Sequence, residues 1–242
     1  MMSTSQASVL CEARCQVGES PIWHAAEQAL YWVDIEGRAV HQVDVQGRHH
    51  QWAVTERIGC IAVHAGGGLL AAMETGLFQL MLQPDGMLAE KKLQAVEFPL
   101  PDMRFNDGRT DREGRFWVSS MVRNMAAASD AGALFRYAGG RFTPTPVKGL
   151  RTGNGLAFSP DGRVMYLSDS HPTVQKIWAF DLNPEGQVSR QRLLVDMQQH
   201  PGRPDGAAVD ADGCYWICAN DAGLVHRFTP DGKLDRSLAV PA

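Results

Sequence analysis

The chain has 242 residues and a formal net charge of −4, with 44% hydrophobic and 21% charged residues. That length holds one all-β domain or two smaller ones, and the composition is that of an ordinary globular protein. No basic stripe is present to serve as a nucleic-acid footprint, and no apolar run is long enough to span a bilayer.

Met1 to Val9 has neither a positive start nor an apolar centre, so it does not read as a secretory leader. Five cysteines are scattered at Cys11, Cys15, Cys60, Cys214 and Cys218, without a CxxC pair. An odd count with no leader reads as reduced thiols in a cytoplasmic protein rather than as a metal or redox centre.

From there on, short apolar strands alternate with acidic-Gly pairs: Glu36-Gly37, Asp85-Gly86, Glu113-Gly114, Asp161-Gly162, Glu185-Gly186, Asp212-Gly213 and Asp231-Gly232. Such pairs suit hairpin turns because Gly takes φ > 0 at low cost. Aligned by their turns, five units emerge: Glu19 to Val33, Gly59 to Ala72, Asn106 to Val118, Asn154 to Leu167 and Asp205 to Ile217. In each, a polar or small residue precedes a short strand, and five positions later comes His24, His64, Asp111, Ser159 or Asp210. A turn and a second strand follow, then two further strands, as in Gly132 to Tyr137 with Arg141 to Val147. The units start 40 to 51 residues apart. Four strands repeated at this period predict propeller blades in preference to a sandwich.

In a propeller the first strand of each blade lies nearest the axis, so the five entry residues Glu19, Gly59, Asn106, Asn154 and Asp205 are predicted to ring one mouth of the channel. Glu19, Asn154 and Asp205 offer two carboxylates and an amide oxygen, a set that suits a hard divalent cation: Ca²⁺, Mg²⁺ or Mn²⁺, with Zn²⁺ also accommodated. Singly, Asp205-Gly206, Asn154-Gly155 and Asn106-Asp107-Gly108 also read as turn formers. Gly59 contributes no side chain, which is read as space at its side of the mouth. Arg104, two residues before Asn106, is placed to reach the same mouth with a planar fork suited to oxygen-rich ligands. His171 follows the second strand of blade four and is expected at the opposite end or near the rim, solvated rather than catalytic. Ala7 to Ala13 reads as a strand without a partner in blade one, the outer strand of an incomplete sixth blade.

The motifs GESPIW (Gly18 to Trp23), YWVDI (Tyr31 to Ile35), RFNDG (Arg104 to Gly108), TGNGLAFSPDG (Thr152 to Gly162) and RPDGAAVDADG followed by YW (Arg203 to Trp216) together resemble the gluconolactonase/regucalcin (senescence marker protein) family, in the family's order and from about Ala7 to Pro241. The resemblance implies an all-β, six-bladed β-propeller. This chain would supply five blades plus the N-terminal strand of the sixth, as one domain over residues 1–242. It implies one divalent cation, Ca²⁺ first, on Glu19, Asn154 and Asp205, with Arg104 and Asn106 as substrate contacts. The implied activity is hydrolysis of a small-molecule sugar lactone. The metal would act as Lewis acid and water activator, and Asp205 would double as general base. A calcium-dependent arylesterase or phosphotriesterase and a non-catalytic calcium-binding propeller are the alternatives. No nucleic-acid or membrane partner is implied, and oligomeric state is not legible. Two departures stand out: Met121-Val122-Arg123-Asn124 lacks an acidic residue that many relatives carry there, and relatives continue past Leu238 to Pro241 through a strand that completes the sixth blade.

Overall fold

The computed structural model describes residues 7–240 and is all β, a propeller of five four-stranded antiparallel sheets. Blade one holds β1 (Gly18–His24), β2 (Ala29–Asp34), β3 (Ala39–Asp44) and β4 (His49–Ala53). Blade two holds β5 (Ile58–Val63), β6 (Leu69–Met73), β7 (Gly76–Leu82) and β8 (Leu88–Ala95). Blade three holds β9 (Met103–Thr110), β10 (Phe116–Val122), β11 (Gly132–Ala138) and β12 (Arg141–Leu150). Blade four holds β13 (Gly153–Phe158), β14 (Val164–Asp169), β15 (Lys176–Leu182) and β16 (Val188–Asp196). Blade five holds β17 (Arg203–Val209), β18 (Tyr215–Asn220), β19 (Leu224–Phe228) and β20 (Leu234–Ala239). In every sheet the strands pair in sequence order, as hairpin connections require.

In blades three, four and five the residue five positions after the entry shapes the first hairpin. Asp111 Oδ1 accepts from the backbone N–H groups of Glu113 and Arg115, and its Oδ2 accepts from Trp117 Nε1 at 2.8 Å. Asp210 repeats the pattern with Asp212, Cys214 and Trp216. In blade four Ser159 Oγ accepts from Val164 N. A short polar side chain that takes over backbone donors holds the turn, and in two blades it anchors the tryptophan that opens the next strand.

Burial falls from the axis outward: β5, β6 and β13 are almost wholly buried, whereas β20 and β8 are largely exposed. Four apolar clusters join the sheets, one each between blades one and two, two and three, three and four, and four and five. Among the described residues no such cluster joins blade five to blade one. The terminal inner strands β1 and β17 are accordingly the least buried of their class, and Trp23 on β1 is 51% exposed.

Ala7 to Ala13 forms no strand, contrary to expectation. It finds no neighbouring edge to complete a ladder, and extended backbone without a partner gains nothing as a strand. The expected absence of a leader concerns residues that lie mostly outside those described, as does the last part of the Leu238 to Pro241 stretch. Among the described residues no helix is long and apolar enough to cross a membrane, and all five cysteines are free thiols.

Candidate metal and substrate site

Each innermost strand breaks its ladder at its entry residue. The register shifts fall between Glu19 and Ile22, Ile58 and Cys60, Asn154 and Ala157, and Pro204 and Ala207, with the matching shift in β9 opposite Val118 and Ser120. A bulge leaves a residue free of its ladder and re-aims its side chain. Gly59, Asn106 and Asp205 fall inside the irregular stretch, whereas Glu19 and Asn154 are the paired residues at its edge, opposite Val33 and Ser168.

Asn154 is buried; its Nδ2 donates to Asp205 Oδ1 at 2.7 Å and to Ser170 Oγ at 2.9 Å. Among the described residues nothing donates to its Oδ1. Asn106, also buried, donates from Nδ2 to the Gly153 carbonyl at 3.0 Å. Arg104 Nη1 donates to Asn106 Oδ1 at 2.6 Å and to the Phe105 carbonyl at 2.8 Å. No partner for its Nε or Nη2 is found among the described residues.

The electrostatics tie Glu19 to the same place. Burial, then the charges of Asp205 and Asp107, push its carboxyl up to about 8. Burial also raises Asp205, opposed by Arg203 and by the bond from Asn154. Arg104 is lowered by burial, while Glu19 and Glu36 favour its charge. Two carboxylates that resist ionising together, beside an amide oxygen with no donor, form the donor set a hard dication would neutralise. The residues present therefore fit a divalent cation.

Asp107 was not singled out from the sequence beyond its place in a turn motif. It accepts Gly108 N at 2.9 Å and, across to blade four, Leu156 N at 2.8 Å. Burial pushes it up to about 6. Arg109, two residues on, sends Nη2 to the Ala207 carbonyl of β17 at 2.8 Å. An acid inside a strand rather than at its turn was the available signal: the register of β9 against β10 places Asp107 on the bulge beside Asn106.

Two expectations are corrected. Gly59 leaves no space at the mouth, because a Cβ built there would lie 2.4 Å from the Phe105 carbonyl oxygen; the glycine lets β9 approach β5. His171 does not sit at the opposite end. β14 runs antiparallel to β13, so Asp169 pairs with Gly153 and the residues after it reach the entry mouth. His171 is buried, with Nε2 bonded to the Met125 carbonyl at 2.9 Å and Nδ1 to Thr173 Oγ1 at 2.7 Å. It ties down the short 3₁₀ turn Met125–Ala127 that follows Asn124, whose own side chain makes no capping bond.

Comparison with known proteins agrees with this architecture. A family model described as the SMP-30/Gluconolactonase/LRE-like region matches residues 17–242. The chain is 34% identical over 227 residues to a 6-deoxy-6-sulfogluconolactonase of Pseudomonas putida, covering 93% of this chain and 76% of that one. It is 32% identical over 239 residues to an L-arabinolactonase of Azospirillum brasilense, covering 98% and 78%. Among solved structures, a calcium-binding protein, regucalcin, from Agrobacterium tumefaciens superposes with a TM-score of 0.87 at 27% identity, covering 97% of this chain and 78% of that one. The chain belongs to the SMP-30/gluconolactonase/LRE-like family.

Proposed function

We propose that the protein is a metal-dependent hydrolase that opens sugar (aldono-) lactones. The observation that supports this reading is the Asn154–Asp205 bond beside a buried Glu19 that feels the charges of Asp205 and Arg104, with Arg104 in turn bonded to Asn106. Two relatives named as lactonases support the substrate class.

Glu19, Asn154 and Asp205 would hold one divalent cation, Ca²⁺ first. A bound dication supplies Lewis acidity toward a carbonyl oxygen and acidifies water. Asp205 takes the proton of the attacking water as general base. Water oxygen joins the lactone carbonyl carbon, the ring C–O bond breaks, and the ring oxygen leaves as a hydroxyl carrying the proton that Asp205 received. The product is an open aldonic acid. Arg104 offers Nε and Nη2 to sugar hydroxyls, and its Nη1 bond holds Asn106 beside them.

The test is acid release from gluconolactone in a pH-stat, with and without chelator. Release that the chelator stops, that added Ca²⁺ restores and that Asp205→Ala abolishes is the expected result. Undiminished hydrolysis in Asp205→Ala would sink the assignment. Turnover of aryl esters or phosphotriesters alone would favour the arylesterase reading, and cation binding without any turnover the binding-propeller reading.

The reading extends to the ring. Five sheets joined by four apolar clusters support a single propeller domain over residues 1–242 that is open between blades five and one. Small-angle scattering from this chain should fit an open arc; a closed five-sheet ring in solution would contradict it. A cytoplasmic location fits the five free thiols.

A further inference from the structure

Outside the channel, blade one carries a second cluster of ligating side chains. Cys15 Sγ lies 3.8 Å from His41 Nε2, and together with Asp34 their ligand atoms all fall within 4.8 Å of one another. We propose that Cys15, His41 and Asp34 form a second cation site, selective for a borderline transition metal such as Zn²⁺ and distinct from the oxygen-lined channel site.

Three observations carry this. The first is spacing: a tetrahedral zinc centre with ordinary Zn–S and Zn–N bonds holds sulfur and nitrogen ~3.6 Å apart, close to the separation found. The second is preparation of the ligands. His41 Nδ1 lies 3.0 Å from His49 Nε2; with the shared proton on His41, its Nε2 lone pair faces the sulfur. Trp32 stacks on His41 with centroids 5.1 Å apart and donates Nε1–H to Cys15 Sγ at 3.3 Å, which holds the sulfur beside the imidazole. Asp34 accepts from Gln16, Val17 and Gly37 N–H, which fixes its carboxylate and leaves lone-pair capacity on Oδ2.

The third is that the fold does not require these residues. By register, the blade-four counterparts of Asp34, Cys15, Trp32 and His41 are Asp169, Leu150, Leu167 and Trp178. Asp169 keeps the structural task, accepting Arg151, Thr152 and His171 N–H. Around it, however, the other three belong to an apolar core. Blade one replaces that apolar trio with a thiol, an indole and an imidazole. On binding, the Sγ–metal bond forms as the thiol proton passes to solvent, and thiolate plus carboxylate balance the dication.

The test is titration of the reduced chain with Co²⁺, whose thiolate charge-transfer absorption in the near ultraviolet an all-oxygen site does not produce. The band should grow to one equivalent, be displaced by Zn²⁺, vanish in Cys15→Ser, persist in Cys11→Ser and Asp205→Asn, and require at least tenfold more Co²⁺ in His41→Gln. No thiolate band at saturating Co²⁺, or a band that survives Cys15→Ser, overturns the proposal. Should a variant unfold, alkylation of the wild-type chain decides: Zn²⁺ should slow iodoacetamide labelling of Cys15 at least tenfold while Cys11 labels as before. An unchanged Cys15 rate refutes the site.

Discussion

Asn154 Nδ2 donates to Asp205 Oδ1 at 2.7 Å, so a residue of blade four sets the orientation of the carboxylate on blade five. This bond makes Asn154 both a candidate donor and the support of its neighbour. Asn154→Ala should therefore lower divalent-cation affinity by on the order of 100-fold, the upper range for loss of a supporting partner. Calorimetric titration with Ca²⁺ checks it; affinity within threefold of wild type would separate Asn154 from the cation.

Glu19 sets the pH dependence of the cation-free protein. Its folded value of about 8 lies above the usual carboxyl value, so the folded form holds its proton while the unfolded chain releases it. The associated stability is intact at acid pH and is lost as pH rises through the window from about 4.5 to about 8. Thermal melts in chelator should show a falling midpoint across that window. Ca²⁺ should raise the midpoint more at pH 8 than at pH 5, because protons and cation compete for Glu19.

Asp107 satisfies two backbone donors, one of them across the blade boundary. Asp107→Ala leaves both without their acceptor and should cost about 1–3 kcal/mol in urea unfolding. Asp107→Asn keeps an acceptor oxygen and should cost less. By removing a charge that raises Glu19, it should also shift the melting profile above toward lower pH.

Gly59 and Gly206 make a contrasting pair at two entries. A Cβ at Gly59 would meet the Phe105 backbone at 2.4 Å, whereas one at Gly206 meets nothing within 4 Å. Gly59→Ala should destabilise by about 1–3 kcal/mol, as overpacking against backbone does. Gly206→Ala should leave the urea midpoint nearly unchanged, although it adjoins Asp205.

Arg104→Lys keeps the charge but loses Nε and Nη2, the donors left over after Nη1 has bonded Asn106 and the Phe105 carbonyl. With an aldonolactone as substrate, KM should rise about tenfold or more with cation affinity unchanged. A loss confined to cation binding would reassign Arg104.

The blades were legible because the units repeat a polar or small residue, a short strand, a turn and a second strand at starts 40 to 51 residues apart, and that alignment also brought out Glu19, Asn154 and Asp205. What escaped was set by pairing between strands far apart in the chain. The end at which His171 emerges depends on β14 running back beside β13. Asp107 looked like part of an Asn-Asp-Gly turn until the register placed it on a bulge, bonded to Leu156. Ala7 to Ala13 has the composition of a strand, but a strand needs an edge to pair with. The Cys15 cluster was hidden because its ligands stand 26 residues apart in sequence.

Glu19 belongs to the first sheet of the arc and Asp205 to the last, and each of those sheets is held by one apolar neighbour. A dication shared by them would act as a clasp across the opening, so its binding energy would count toward fixing blades one and five relative to each other as well as toward chemistry. The amides of blades one and five should then exchange with solvent fastest in chelator and slow most on adding Ca²⁺, while those of blade three change little.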